Sequence, residues 1–347
     1  MQTSGEETKL SLEPEQNLLL QAIISQVNET YGKGSLILAN SDNEVILDRI
    51  STGHIEIDKI FGGGVAIGRI SEFHGAESSG KTTLALQVMA QAQKKGLQCA
   101  YIDVEHAIEP PYAKLCGVNW NKVLENQPMS AEEALDIMVA LAKSGVVQLI
   151  VLDSVAALAT KRMIEGTASE EHMAEVARLM SKEITKVNMH LKKNKVAIIL
   201  INQLRDTLAK FGKATSTPGG RAIKFAASLR VELVRYENIT ATINGDTISV
   251  GQKNYVTTVK NKVGPAHRKI SVELRYPTEL ADGTIQKPGF CNLSAVIAAA
   301  LESGVMTKVK NTVTFPNGAT AVGENKVREY LQANADVLAT VEAALDI

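Results

Sequence analysis

Hydrophobic positions recur along this chain with two different periods. In residues 16–31, Leu20, Ile23, Ile24, Val27 and Tyr31 fall on one helical face, and Gly32-Lys33-Gly34 stops the helix. A lone amphipathic helix must bury its stripe against its own domain or a neighbouring subunit. From residue 45 to about 276, short apolar runs alternate with helix-spaced segments. The runs 70–73, 99–104, 148–152 and 196–201 predict core strands; 82–94, 131–143 and 173–193 predict helices. In the last helix Val176, Met180, Ile184, Val187 and Leu191 recur at helical spacing. This alternation predicts a mainly parallel α/β sheet. The alternating runs 229–234, 255–259 and 270–274 predict antiparallel or mixed strands that finish it. Asn244-Gly245-Asp246 reads as a hairpin turn. Beyond Pro277 the pattern becomes a helix (293–302), a hairpin around Pro316-Asn317-Gly318, and two helices (324–333, 335–345). The organisation expected is an N-terminal helical segment (1–38), an α/β core (39–276) and a small α+β C-terminal domain (277–347).

Composition narrows the class. A chain of 347 residues with 45% apolar content can build about two domains. The net charge of −1 means that any nucleic-acid binding must come from a local basic surface. The first ten residues are polar and acidic, unlike a signal peptide, and the apolar run 196–201 is far too short to span a bilayer. Three cysteines, Cys99, Cys116 and Cys291, show no paired spacing, which argues against a disulfide framework or zinc and fits a reducing cytoplasm.

The sharpest chemical signal is Gly75-Ala76-Glu77-Ser78-Ser79-Gly80-Lys81-Thr82, between a predicted strand and a predicted helix. Gly75 and Gly80 let successive backbone N–H groups face phosphate oxygens, and the helix N-terminus adds partial positive charge. Lys81 is placed to reach the β- and γ-phosphates, and the Thr82 hydroxyl to ligate Mg²⁺. Residues 148–154 form an apolar strand ending in Asp153, the usual partner of such a loop near the metal. Glu105 follows the 99–104 run; at the carboxyl end of a parallel strand it can deprotonate a water, or be a plain surface acid. His106 reads as structural. Gln203 ends the 196–201 run, where it can hydrogen-bond a γ-phosphate or simply cap a strand.

Taken together, these motifs resemble the bacterial RecA recombinase family. The likeness runs from about Ser25 to the C-terminus. Its markers include Gly32-Lys33-Gly34-Ser35, Ile50-Ser51-Thr52-Gly53, the loop from Gly75 through Thr83, Ile102-Asp103-Val104-Glu105-His106-Ala107, Ile201-Asn202-Gln203, Gly219-Gly220 and Val259-Lys260-Asn261-Lys262. The resemblance implies a RecA-like P-loop ATPase core. It implies Glu105 as the residue that activates water and Gln203 as the sensor coupling the γ-phosphate to the next loop. Tyr112 is similar to the tyrosine that stacks on adenine, with Glu109 near the base. Lys260 and Lys262, which alone read as a solvated strand end, resemble a pair reaching the neighbouring subunit's ATP. Two segments, about 164–173 and 205–221, look like DNA-binding loops. The second holds Lys210, Phe211, Gly212, Lys213 and Arg221. Arg178, Arg205, Gly219 and Gly220 match backbone-contacting positions; Met173 and Leu208 match positions that wedge between base triplets. Implied cofactors are ATP and Mg²⁺. Implied partners are single-stranded DNA, homologous duplex and further copies of the chain in a helical filament, with no membrane.

Several positions depart from the family pattern. Ala76 replaces a usual proline, Thr185 stands where a basic residue is common, and Tyr255 and Thr257 replace strand positions that are often basic. The last two predict weaker duplex capture. The chain also ends at Ile347 without a long acidic tail, which predicts less restrained DNA access. Three other functions use parts of the same pattern: a ring-forming helicase, a low-turnover scaffold filament, and a metabolic P-loop kinase. The last gives no reason for the long second loop or the Lys260–Lys262 pair.

Overall fold

A computed structural model describes residues 13–38, 47–166, 171–206, 215–243, 245–279 and 283–345. Asn244, Leu208, Lys210, Phe211, Gly212 and Lys213 lie outside the described residues. The chain divides into two compact units, residues 1–46 and 47–347.

In the first unit the expected helix spans Pro14–Tyr31. Proline at its first position needs no N–H partner, and Glu13 and Gln16 form a reciprocal capping box. Gly32, at φ +99°, ends it. None of its residues is buried; Leu18, Leu19 and Ile23 are exposed.

The second unit is built on a nine-stranded sheet. Its order is Gly289–Phe290, Lys269–Arg275, Asp246–Asn261, Leu229–Ile243, Ile70–Gly75, Ala197–Gln203, Leu149–Asp153, Cys99–Asp103, Val123–Asn126. The six strands from Leu229–Ile243 onward are mutually parallel, and the first three are added antiparallel. The fold is therefore the expected α/β architecture with a mainly parallel core. Strand Ala197–Gln203 shows why its sequence is continuously apolar. Ile199 and Ile201 pack on one face with Phe73, Leu84 and Met89, while Ile198 and Leu200 pack on the other with Met138, Met180 and Ile184. Helices cover both faces, so period-2 alternation disappears. Each such buried aliphatic side chain contributes about 1.5–3 kcal/mol.

The register brings four strand ends side by side: Gly75 opposite Gln203, and Asp103 opposite Asp153. Ligands of open parallel sheets bind at this edge.

Some elements differ from their expected lengths. The hairpin strands run Leu229–Ile243 and Asp246–Asn261, well beyond 229–234 and 255–259. The described residues between 234 and 249, around the turn, are mostly exposed, so burial imposes no apolar run there. Helices Ile55–Phe61, Pro110–Leu115 and Gly220–Ala226 are six or seven residues long, too short to show a period. Beyond Pro277, Leu293, Val296, Phe315, Leu331 and Val337 form a separate apolar cluster. The edge strand Gly289–Phe290 nonetheless pairs with the main sheet past residue 276.

Candidate functional site

The loop at residues 75–82 closes between a fully buried strand and helix Lys81–Lys94. Gly75 is required by contact: a Cβ there would lie 2.3 Å from the Leu233 carbonyl oxygen. Gly80 caps the helix at φ +84°, and a Cβ would strike Leu274 at 2.7 Å. Lys81 Nζ donates to the Ala76 carbonyl at 2.7 Å. Burial pushes this ammonium down from its ordinary value, against the pull of Asp153, Glu105 and Glu77. The loop opens on a cavity of about 380 Å³ lined by Ser78, Gly80 through Thr83, Tyr112, Arg235, Leu274 and Tyr276. Tyr112 comes from helix Pro110–Leu115, and its hydroxyl meets Thr83 Oγ1 at 2.7 Å. Glu109 caps that helix by position and is exposed.

Thr82 Oγ1 donates to Asp153 Oδ2 at 2.7 Å. The buried hydroxyl of Tyr101 donates to the same oxygen at 2.7 Å. Burial pushes the Asp153 carboxyl up to about 6, while these two donors pull it back down. Among the described residues no group of three or more His, Cys, Asp or Glu could hold a metal. The Thr82–Asp153 oxygen pair instead suits Mg²⁺, which keeps several waters and takes phosphate oxygens as ligands.

Glu105 stands at the mouth of this edge. Its Oε1 accepts from Gln203 Nε2 at 2.9 Å and closely from Ser154 Oγ. Asp103 shapes the turn that presents it. Asp103 Oδ1 accepts from Ala107 N at 3.3 Å, and Oδ2 from Ile108 N at 3.2 Å, around His106 at φ +53°. His106 is thus a turn residue.

A second cavity, about 570 Å³, is lined by residues that flank the first expected loop and by described residues of the second. Ala156, Met163, Ala177, Arg205, Gly219 and Gly220 are among its walls. Arg205 Nη2 donates to the Ala156 carbonyl at 2.9 Å. Gly219 caps helix Gly220–Ala226, so Gly220 and Arg221 belong to a helical turn where the sequence suggested loop. Met173 and Arg178 lie on helix Glu171–Leu191, and Arg178 is exposed. Asn202 Nδ2 joins the Pro218 carbonyl (3.0 Å) to the fully buried Glu72 (2.9 Å), which pairs closely with Arg230. Lys260 and Lys262 reach the other end of the short helix. Lys260 Nζ donates to the Lys224 and Phe225 carbonyls at 2.6 and 3.1 Å, and Lys262 Nζ to Phe225 at 3.3 Å. Cations suit a helix C-terminus. Neither lysine lines the cavity at the phosphate loop.

The family model described as RecA N-terminal domain matches residues 18–281. The chain belongs to the RecA family. It is 38% identical over 325 residues to "Protein RecA" of Clostridium novyi (strain NT), covering 93% of this chain and 89% of that one. It is 38% identical over 338 residues to "Protein RecA" of Bifidobacterium longum (strain NCC 2705), covering 97% and 82%. A crystal structure of the RadB recombinase is similar at TM-score 0.49 and 20% identity, over 65% of this chain and 96% of that one.

Within this RecA-family chain, several site residues escaped sequence reading. Tyr101 gives no signal beyond its place in the 99–104 run. Arg235 gave no signal because strand Leu229–Ile243 reads from the sequence only to 234, and Tyr276 because it lies just past the end of strand Lys269–Arg275. Beside Tyr255 and Thr257 the structure brings a basic side chain from the next strand: Lys269 lies opposite Thr257, with Nζ 3.6 Å over the Tyr255 ring. That pairing is invisible without strand register.

Proposed function

We propose that this chain is an ATP-dependent recombinase that polymerises on single-stranded DNA and pairs it with a homologous duplex. ATP is hydrolysed at subunit interfaces and the reaction is stimulated by DNA. The observation that carries this reading is the Gln203–Glu105 hydrogen bond. Gln203 ends a core strand, and the chain runs from it directly into Arg205 and the second DNA segment. A γ-phosphate that draws Gln203 away from Glu105 releases the carboxylate to take a proton from water, and shifts the DNA segment in the same movement. Thr82 and Asp153 would hold Mg²⁺, which would supply positive charge against the phosphates. Lys81 and the N–H groups of residues 76–83 bind the phosphate chain, and Tyr112 with Glu109 the base.

Met173, Arg178, Arg205, Leu208, Lys210, Lys213, Gly219, Gly220 and Arg221 form the DNA-binding set in this reading. Lys260 and Lys262 act on the ATP of the adjacent subunit. The exposed apolar positions of helix Pro14–Tyr31 supply a head-to-tail contact, which being heterologous can grow a filament. Segment 1–38 is then the oligomerisation arm, 39–276 the ATPase and DNA core, and 277–347 an accessory domain. The reaction belongs in the cytoplasm; no helix among the described residues is long and apolar enough to cross a membrane.

The test is ATP hydrolysis with and without single-stranded DNA, for the unmodified protein and Glu105→Gln. Stimulation by DNA, reduced about 100-fold in Glu105→Gln with nucleotide binding retained, is expected. DNA-independent turnover refutes the reading.

A further inference from the structure

Strand Asp246–Asn261 turns two amide side chains onto the phosphate loop. Gln252 Nε2 donates to the Ser78 carbonyl at 3.1 Å, and Asn254 Nδ2 to the Ser79 carbonyl at 2.7 Å. Both side chains are fully buried. The sheet does not require them there. The backbones of Gln252 and Asn254 already pair with Leu274 and Val272 on one side and with Asn238 and Arg235 on the other. On the same face the neighbouring position is filled by the buried Val256. An amide costs more to bury than a valine unless its polar atoms find partners. The compensation here is incomplete, because Asn254 Oδ1 has no hydrogen-bond partner. The donor half of Asn254 is the half the site uses.

The peptide planes show what these donors do. A trans peptide holds its C=O and N–H on opposite edges of one plane. The Ser78 carbonyl shares its plane with the Ser79 N–H, and the Ser79 carbonyl with the Gly80 N–H. Neither peptide is cis. Fixing both carbonyls on the strand side therefore fixes two successive N–H groups on the other side. The loop needs such outside support: Ser78 sits at φ +57°, an uncommon conformation for a residue with a side chain, and Gly80 at φ +84°. The brace has its own support, since Tyr276 Oη donates to Gln252 Oε1 at 2.5 Å.

We infer that Gln252 and Asn254 are positioning residues of the phosphate loop. Their amides hold the Ser78 and Ser79 carbonyls away from the cavity, and so keep the Ser79 and Gly80 N–H groups aimed at the phosphate oxygens of a bound nucleotide. The inference rests on the nucleotide reading of the site given above.

The experiment is calorimetric titration of the full chain with ADP and Mg²⁺, beside its melting temperature without nucleotide. Gln252→Glu keeps an acceptor for Tyr276 and sets a carboxyl oxygen, in place of the amide donor, against the Ser78 carbonyl. Asn254→Leu removes the donor to Ser79. Each is expected to weaken ADP binding about five- to tenfold. Val256→Ala, a packing change on the same strand face that removes no hydrogen bond to the loop, is expected to leave affinity within about twofold. ADP binding as tight in Gln252→Glu and Asn254→Leu as in the unmodified chain overturns the inference. So does an equal loss in Val256→Ala, since the effect then belongs to strand packing. Should Asn254→Leu not fold, Gln252→Glu decides alone. Lys81→Ala separates the two levels: if ADP does not bind the unmodified chain, or binds Lys81→Ala equally well, the nucleotide reading fails and this inference falls with it.

Discussion

Lys81 and the Lys260–Lys262 pair are held in opposite ways. Lys81 is buried, lies over its own loop carbonyl, and feels carboxylates from the loop and two different strands. Lys262 is exposed and Lys260 half-buried, and their described bonds run to the last carbonyls of a seven-residue helix. Water can satisfy those carbonyls almost as well, so the net gain from such bonds is small. The first cation is committed to one place within the chain. The second pair is lightly tethered, so in the proposed assembly it could be redirected to a phosphate on another subunit at little loss. Under that proposal a single chain builds one half of a shared site firmly and keeps the other half available.

The largest expected effect tests that division directly. Lys81→Ala should lower ADP affinity about 100-fold, near 3 kcal/mol, in a titration run too dilute for assembly. Under the same conditions the double variant Lys260→Ala with Lys262→Ala should change affinity by no more than about twofold, yet at concentrations that allow assembly it should lose DNA-stimulated turnover. Equal losses of binding in the two variants would erase the contrast.

A smaller effect sharpens it through pH. Burial, then the charges of Lys262 and Arg230, push the Lys260 ammonium down to about 8. At its place on the helix end Lys260 is thus mainly a cation below about pH 8 and mainly neutral above it, so at higher pH its recruitment to a phosphate also requires taking up a proton. DNA-stimulated turnover should therefore fall about tenfold from pH 7 to pH 9. Lys260→Arg, which keeps its charge, should flatten that alkaline limb in a pH–rate profile. A fall that persists unchanged in Lys260→Arg assigns it to another group.

The smallest effect lies on the firm half. Tyr101→Phe removes one of the two donors to Asp153 Oδ2 and leaves Thr82 in place. The Mg²⁺ concentration that half-saturates ADP binding should rise about threefold, as expected for losing one modest hydrogen bond. No change would mean that Thr82 alone orients the carboxylate.

Legibility in the sequence followed the same division of the molecule. The phosphate loop could be read because its chemistry is backbone chemistry, spelled by Gly75, Gly80, Lys81 and Thr82 within eight consecutive residues. Asp153, Glu105 and Gln203 could be located because each ends an apolar run, and parallel strands present their carboxyl ends together. Gln252 and Asn254 could not. They sit in a polar stretch that reads as exposed, and they are buried only because the hairpin folds along the phosphate loop. Asp103 was read only as part of the motif around Glu105; its role in holding the turn depends on backbone N–H groups four and five residues ahead.

Local composition and period were enough to determine the α/β class, the order of the core elements, and which strand ends carry chemistry. Those properties depend on side-chain spacing within a dozen residues, and hydrophobic burial enforces them wherever the chain collapses. Tertiary structure alone decided that Tyr101 meets Asp153, that Lys269 stands opposite Thr257, that Lys260 and Lys262 sit on the helix begun by Gly219-Gly220, and that two buried amides hold the Ser78 and Ser79 carbonyls. Each of those contacts needs strand register or a long-range approach to within about 3 Å, and hydrogen bonds weaken sharply beyond that range.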